Sequence, residues 1–417
     1  MVRRSRKILL FAIASTFIFT YFNFILPLYL PFLGIADVDY IYQGQYSGNY
    51  LATDGWGNVL IVDTEGTPLW RTEVPEFFVH DADILPNGNV IVADTGGDRV
   101  LEIDIDDPNK VVWSWDAKDI NDVNWTKVAI ERGWSDRSYI ENQYPPTGYW
   151  THLNDVEFIE GAKYGRSCDS IMISLRNFDL VIEVSHDEAK DIIWWYGEPG
   201  NHDLLHRQHN PHRLDDGNTI ICDSENKRII EVDLETKEVV WNFSLEFPYG
   251  TLRWPRDCDP FGDGKLLLTD SGNSRIMVID KESKEIELEI KSMFINIPYE
   301  ADFVDGTIVI GNTNGNSVLI FDYETGMLTG IIGFPFLLMS PIIFLFFILA
   351  YFAIKGFKSY QNCEAQGFKY KLKSFQVYRW FVFAIVMTLL LVFFNPIWGC
   401  LWEFQLHQFV ENIPILF

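Results

Sequence analysis

Cysteine is scarce in this chain of 417 residues: there are five, with no C-x-x-C pair among them. That absence excludes zinc ribbons and thioredoxin-like dithiol sites. Cys168, Cys222 and Cys258 fall in the acidic middle of the chain, an odd number that permits at most one bridge, and buried free thiols are the simpler reading. Basic residues are the second shortage, with 33 Lys+Arg against 58 Asp+Glu and a formal net charge of −25. Ten of the basic residues sit beside apolar runs: Arg3, Arg4, Arg6, Lys7, Lys355, Lys358, Lys369, Lys371, Lys373 and Arg379. Residues 37–330 therefore hold 55 acidic side chains against 23 basic ones. A field of that sign repels nucleic acid and anionic lipid head groups, and it favours solubility in water.

Charge is missing altogether from three long runs: Ile8 to Leu33, Ile331 to Ile354, and Trp380 to Trp402. Each is long enough for a helix to cross a bilayer, which takes about 20 apolar residues. A cleaved signal peptide is the rival for the first run, but its apolar part should be only about 7–15 residues long, so an uncut anchor is expected. Basic residues flank the first span and fill the segment between the other two, which places both of those segments in the cytoplasm. The organisation expected is a basic tail and first span at 1–36, an extracytoplasmic domain at 37–330, a second span at 331–354, a cytoplasmic loop at 355–379, a third span at 380–402 and a short outer tail at 403–417. Two N-x-[ST] sequons, at Asn124 and Asn242, both fall in the outer domain and suggest a glycoprotein.

The acidic domain repeats itself. Copies begin at His80 (HDADILPNGNVIVADTGGDRVLEID), His152, His209, Arg256 and Tyr299, each with an opening run, an N-G or D-G type turn, an apolar strand, a second turn and an alternating strand. A less regular fourth strand follows, such as VVWSW or EVVWNF, and an incomplete copy beginning NYLATDGWGN precedes them all. Six four-stranded copies predict an all-β six-bladed β-propeller, with one transmembrane helix before it and two after. The incomplete first copy predicts a ring closed by strands from both ends of the domain. Insertions at about 117–150 and 197–208 are expected to form loops on one face.

Positions that serve the fold should look alike in every copy. The opening motif aligns as His80-x-x-Asp83, His152-x-x-Asp155, His209-x-x-His212, Arg256-x-x-Asp259 and Tyr299-x-x-Asp302. A carboxylate repeated in the fourth column suits backbone N–H groups at the strand start. The first column has no such explanation. After the apolar strand the copies read Asp94-Thr95, Leu175-Arg176, Asp223-Ser224, Asp270-Ser271 and Asn312-Thr313, so Arg176 replaces a small hydroxyl. Opening strands line a propeller's channel, and three histidines with Arg176 and Arg256 would make an anion pocket inside an acidic domain. Three other readings compete. The histidines could be hydrogen-bonded rim residues of a non-catalytic propeller that binds a ligand or glycan. They could ligate zinc, against which the neighbouring arginine argues. A calcium-dependent lactonase-type propeller would need inward carboxylates.

At these residues the sequence resembles the arylsulfotransferase family, over about residues 50–325. His80-Asp81 with Leu85-Pro86-Asn87-Gly88-Asn89 is similar to the family's opening motif, His152-Leu153-Asn154 to its H-x-N segment, Ser174-Leu175-Arg176 to its S-x-R strand end, and Gln208-His209 to the motif bearing its nucleophilic histidine. Unlike well-studied periplasmic members, this chain has no Cys pair bracketing His209. The resemblance implies transfer of a sulfuryl group from an aryl sulfate to a phenolic acceptor through a sulfohistidine at His209, without a cofactor or metal. It implies that Arg176 keeps that imidazole neutral and, with Asn154 and His152, donates to the sulfuryl oxygens. His80 or His152 would move the phenol proton, and His212, Arg256 and Tyr299 would complete the substrate pocket. Trp125, Trp134, Tyr139, Tyr144, Tyr149 and Trp150 in the long insertion could stack on an aryl ring or pack the insertion itself. His202 and His206 are candidate rim residues.

Overall fold

The computed structural model describes residues 34–75, 78–134, 150–246, 250–262 and 264–333. The expected spans and the segments that join and follow them lie outside the described residues, except that Ile35 and Ala36 open the first strand and residues 331–333, assigned to the second span, belong to the last strand. Among the described residues no helix is long and apolar enough to cross a membrane.

Among the described residues, twenty-four strands form six four-stranded antiparallel sheets, each built from consecutive strands. The first blade is β1 (Ile35–Tyr40), β2 (Tyr50–Asp54), β3 (Asn58–Val62) and β4 (Pro68–Glu73), and the second is β5 (Val79–Ile84), β6 (Val90–Asp94), β7 (Arg99–Ile103) and β8 (Val111–Asp116). A helix, α1 (Trp125–Arg132), precedes the third blade of β9 (Leu153–Ile159), β10 (Ser170–Leu175), β11 (Leu180–Ser185) and β12 (Ile192–Gly197). The fourth is β13 (His209–Arg213), β14 (Thr219–Asp223), β15 (Arg228–Val232) and β16 (Val239–Phe243). The fifth is β17 (Pro255–Phe261), β18 (Lys265–Asp270), β19 (Arg275–Asp280) and β20 (Ile286–Ile290), and the sixth β21 (Pro298–Val304), β22 (Thr307–Asn312), β23 (Ser317–Asp322) and β24 (Leu328–Gly333). The middle strands are continuous apolar runs because both faces are covered: every residue of β6 and β14 is buried. The outer strands β8 and β16 begin with exposed valines, as an edge facing water on one side requires.

Closure differs from the expectation. The first blade is complete, because Ile35–Tyr40 supplies the opening strand that seemed missing. That run directly follows the uncharged Leu33, and a nine-residue connection rather than an N-G turn separates it from β2, so it shows no copy signature. The ring closes between whole blades. Ile35, Val38, Leu60 and Val62 pack against Val304, Val309, Val318 and Ile332, while Gly34 N donates to Asn316 Oδ1 at 2.6 Å and Tyr40 N to Asp302 Oδ2 at 3.4 Å.

The strand register also corrects the alignment of the third copy. The residue entering each inner strand has positive φ: Gly34, Phe78, His152, Arg207, Trp254 and Ile297. Two residues on comes the first inner-strand position, which is therefore Ala36, His80, Asn154, His209, Arg256 and Tyr299. His152 occupies the strained entry instead, since Asp155 pairs with Ser174 as Asp81 pairs with Ala93. The H-x-x-D spacing at His152 is coincidental.

In this register the next position carries Asp37, Asp81, Asp155, Asn210, Asp257 and Glu300. These acids latch blade to blade: Ala82 N donates to Asp37 at 3.0 Å, Val156 N to Asp81 at 2.5 Å and Ala301 N to Asp257 at 3.0 Å. The backbone role expected of the repeated carboxylate is thus performed mainly two columns earlier. The fourth position contributes too, with Arg213 N donating to Glu157 at 2.9 Å.

Candidate active site

The first inner-strand positions converge at one mouth of the channel. His80 Nε2 and His152 Nε2 are 3.1 Å apart. The Tyr299 ring stacks on His80 with centroids 5.3 Å apart and an angle of 19°, and it meets His209 edge-on at 5.9 Å. Arg256 Cζ lies 4.6 Å from the centre of the same ring. One phenol ring therefore gathers His80, His209 and Arg256, with His152 reaching in behind His80.

Arg176 follows β10 in a short 3₁₀ turn and is buried. Its equivalents after the other second strands are Gly55, Thr95, Ser224, Ser271 and Thr313. Two of those hydroxyls bind the carbonyl just before the next blade's first position: Ser224 Oγ donates to Pro255 O at 2.7 Å, and Ser271 Oγ donates to Pro298 O. In the third blade, where Arg176 stands in place of the hydroxyl, Asn154 Nδ2 donates to Gln208 O at 3.0 Å. Asn154, expected to bind substrate, thereby anchors the backbone immediately before His209. Gln208 is fixed further by its side chain, which donates to Leu180 O at 2.9 Å and to Ser174 Oγ at 3.2 Å.

The electrostatics follow from this crowding. Burial, then Arg256, Arg176 and His80, hold the His209 imidazole well below its ordinary pKa, so it is neutral at pH 7. Burial and Arg207 lower Arg176 to about 10, which leaves it a cation there. Burial raises the Tyr299 phenol against the pull of Arg256 and Arg176, so Tyr299 keeps its proton.

Other expected residues lie elsewhere. His212 is three residues further along β13, roughly 10 Å at the rise of a strand. It lines a cavity of about 760 Å³ at the other end of the inner strands. Its Nδ1 is 3.1 Å from Glu157, and although burial lowers its pKa, Glu157, Asp259 and Asp83 raise it overall. Trp125, Trp134 and Trp150 are core residues packed around Trp115 and Phe178. Trp125 and Trp150 meet Phe178 edge-on at 5.4 and 5.0 Å. Tyr139, Tyr144 and Tyr149 lie outside the described residues. His202 and His206 stack on each other at 3.9 Å, and His202 is 3.2 Å from Asp179.

Among the described residues, the group with metal-ligand spacing is a set of carboxylates, Asp37, Asp81 and Glu300, with oxygens within 4.8 Å of one another. The histidines do not form such a set. Inward carboxylates, the feature a calcium propeller needs, are thus present beneath the His/Arg layer. Asp37 and Asp81 also accept backbone N–H groups, and burial raises the pKa of all three carboxyls.

Those raised values have a measurable consequence. A carboxyl with a higher pKa in the folded chain binds its proton more tightly when folded. Its contribution to stability is present below the unfolded value near 3.8 and is lost as pH rises through the folded value, about 7 for Asp302. Asp39, Asp81, Asp83, Asp155 and Asp257 shift the same way, each with burial as the main cause. The thermal midpoint should therefore fall between about pH 5 and about pH 8, and Asp302→Asn should flatten that slope. A midpoint that climbs over this interval would contradict the assignment.

Residues 41–208 match the family model described as Arylsulfotransferase (ASST). The match includes His80, His152, Asn154 and Arg176 and ends one residue before His209. No curated protein matches the chain. Similar solved structures include a streptogramin B lyase, at 12% identity over 73% of this chain and 84% of that one with a TM-score of 0.47. Virginiamycin B lyase from Staphylococcus aureus gives 12%, 72%, 84% and 0.47. The WD40 propeller domain of Doa1 gives 14%, 69%, 78% and 0.45. Likenesses this distant carry no information on activity.

Proposed function

We propose that the protein is a membrane-anchored sulfotransferase that moves a sulfuryl group from an aryl sulfate ester to a phenolic acceptor through a sulfohistidine at His209. The observation that carries this reading is a buried imidazole whose pKa is held well below its ordinary value by burial and by the charges of Arg256 and Arg176, within a domain that is otherwise strongly acidic. A neutral ring nitrogen can attack sulfur, and the guanidinium forks suit the sulfuryl oxygens as charge moves onto them. In the first half-reaction a His209 nitrogen forms the N–S bond while the S–O(aryl) bond breaks, its electron pair leaving on the phenol oxygen. That oxygen has a pKa near 10 by analogy with tyrosine and takes a proton, for which the His80–His152 pair is the nearby carrier. The second half reverses these steps on the incoming phenol. Asn154 supports the chemistry through the Gln208 backbone, and Tyr299 supplies the ring against which His80 and His209 are set.

The propeller would face outward between a span within Ile8 to Leu33 and spans at about 334–354 and 380–402, with the basic 355–379 loop in the cytoplasm, since the charge bias favours that topology. Labelling of single cysteines placed in the 355–379 loop from outside intact cells would reverse the orientation. Activity is tested by incubating the purified full chain with a chromogenic aryl sulfate and a phenol acceptor. Turnover that yields the sulfated acceptor is expected. Failure with every aryl sulfate, together with tight binding of another ligand, would favour a non-catalytic ligand- or glycan-binding propeller.

A further inference from the structure

The small hydroxyl after a blade's second strand serves the fold by binding the carbonyl at the entrance to the next blade, as Ser224 does with Pro255 and Ser271 with Pro298. In the fourth blade this hydroxyl has another neighbour, because His209 Nδ1 lies 2.8 Å from Ser224 Oγ. Both residues are buried, at 5% and 1% exposure, so no solvent competes for the contact. A carbonyl oxygen only accepts hydrogen bonds. The single hydroxyl proton of Ser224 therefore goes to Pro255 O at 2.7 Å, with Cys222 O at 3.3 Å the weaker alternative. Only oxygen lone pairs then remain to face the imidazole. Nδ1 must carry the ring proton and donate it, which leaves the lone pair on Nε2.

We infer that Ser224 is a positioning residue for sulfuryl transfer: it holds His209 as the Nδ1–H tautomer, with Nε2 as the attacking atom, through a hydroxyl whose direction is set by the Pro255 carbonyl. The inference rests on the reading of His209 as the nucleophile and deepens it. Through both half-reactions Nδ1 keeps its proton. The Nε2 pair forms the bond to sulfur as the aryl oxygen departs with its own pair. The sulfated ring is then cationic, and the Nδ1–H···Oγ bond strengthens as that charge appears. When the acceptor oxygen attacks, the S–N pair returns to Nε2, and the acceptor's proton passes to a base other than His209. A hydroxyl suits this duty better than a carboxylate, because a negative partner would favour the imidazolium in the resting enzyme and occupy the lone pair with a proton.

The test uses the full chain in detergent. With histidine-only ¹⁵N labelling, the His209 signals, identified by their loss in His209→Ala, should show a protonated Nδ1 and a bare Nε2. Ser224→Ala should lower kcat about 10- to 100-fold with little change in KM, the scale for losing one charge-assisted hydrogen bond. Ser224→Thr, the residue type at the equivalent Thr95 and Thr313, should restore most of that loss. Ser224→Asp should move the acidic limb of the kcat/KM profile to higher pH, a change that a purely structural role would not produce. A protonated Nε2 in the wild-type spectrum overturns the inference, and so does an unchanged kcat in Ser224→Ala while the His209 peptide still acquires the sulfuryl group. If Ser224→Ala does not fold, the wild-type spectrum and the threonine variant decide. Should the wild-type His209 peptide never acquire the group, it is the nucleophile reading that has failed.

Discussion

His209→Ala is expected to abolish turnover of aryl sulfates, by about 10⁴-fold or more, which is the scale for removing a nucleophile that works within a preorganised site. The loss should fall on kcat, because Arg176 and Arg256, the groups proposed to hold the sulfuryl oxygens, belong to other blades and remain in place. The fold should survive. The His209 side chain has hydrogen-bonding partners in the Ser224 hydroxyl and the Arg207 backbone, and the blade seams on either side are built from aliphatic clusters to which His209 does not belong. A melting temperature within a few degrees of wild type, measured alongside the rate, separates the two effects, since a loss of about 1 kcal/mol moves a domain of this size by only about 2–4 °C. Wild-type turnover in His209→Ala would remove this residue from the mechanism.

Arg176→Ala is expected to slow turnover by about 10²–10³-fold, the effect of losing one preorganised donor to transition-state charge. It should also change the pH profile. Arg176 is among the groups that hold the His209 imidazole below its ordinary pKa, after burial and Arg256. Removing that charge lets the imidazolium form at higher pH, so the acidic limb of kcat/KM should shift upward. Arg176→Lys keeps the charge but not the planar fork, and it should preserve the acidic limb while recovering only part of the rate. A variant with reduced rate but an unmoved limb would mean that Arg176 acts on the sulfuryl group without governing His209.

Much of this arrangement was legible in the sequence because a propeller repeats its own grammar. The turns at Asn87-Gly88 and Asp216-Gly217, with the all-apolar strands that follow, mark hairpins that local chemistry dictates. The departure of Arg176 from a column of small hydroxyls was equally visible, and it marks a residue that the structure places, buried, just after the end of β10. What was hidden depends on register. A two-residue offset in the third blade put His152 where Asn154 belongs, because His152-x-x-Asp155 mimics the motif and the irregular pairing near Leu175 leaves no trace in composition. The ring of Asp37, Asp81, Asp155, Asp257 and Glu300 emerges only once that offset is corrected and the first blade is completed. His212 shares a strand with His209, yet it belongs to the opposite end because three residues along a strand is a long way on the scale of a small substrate. Ser224 went unnoticed for a different reason: it conforms to its column, and a residue doing the fold's ordinary work gives no sequence signal of a second duty. The tryptophans of the long insertion were ambiguous until packing resolved three of them into core.

On the proposed mechanism, sulfur is carried on His209 between donor and acceptor. The most direct measurement incubates the full chain with excess aryl sulfate and no acceptor, quenches, and weighs the peptide that contains His209. That peptide should gain the mass of one sulfuryl group, lose it when a phenol is added, and gain nothing in His209→Ala. Sulfuryl label recovered only on another residue, or turnover proceeding with no labelled enzyme at any time, would contradict the account.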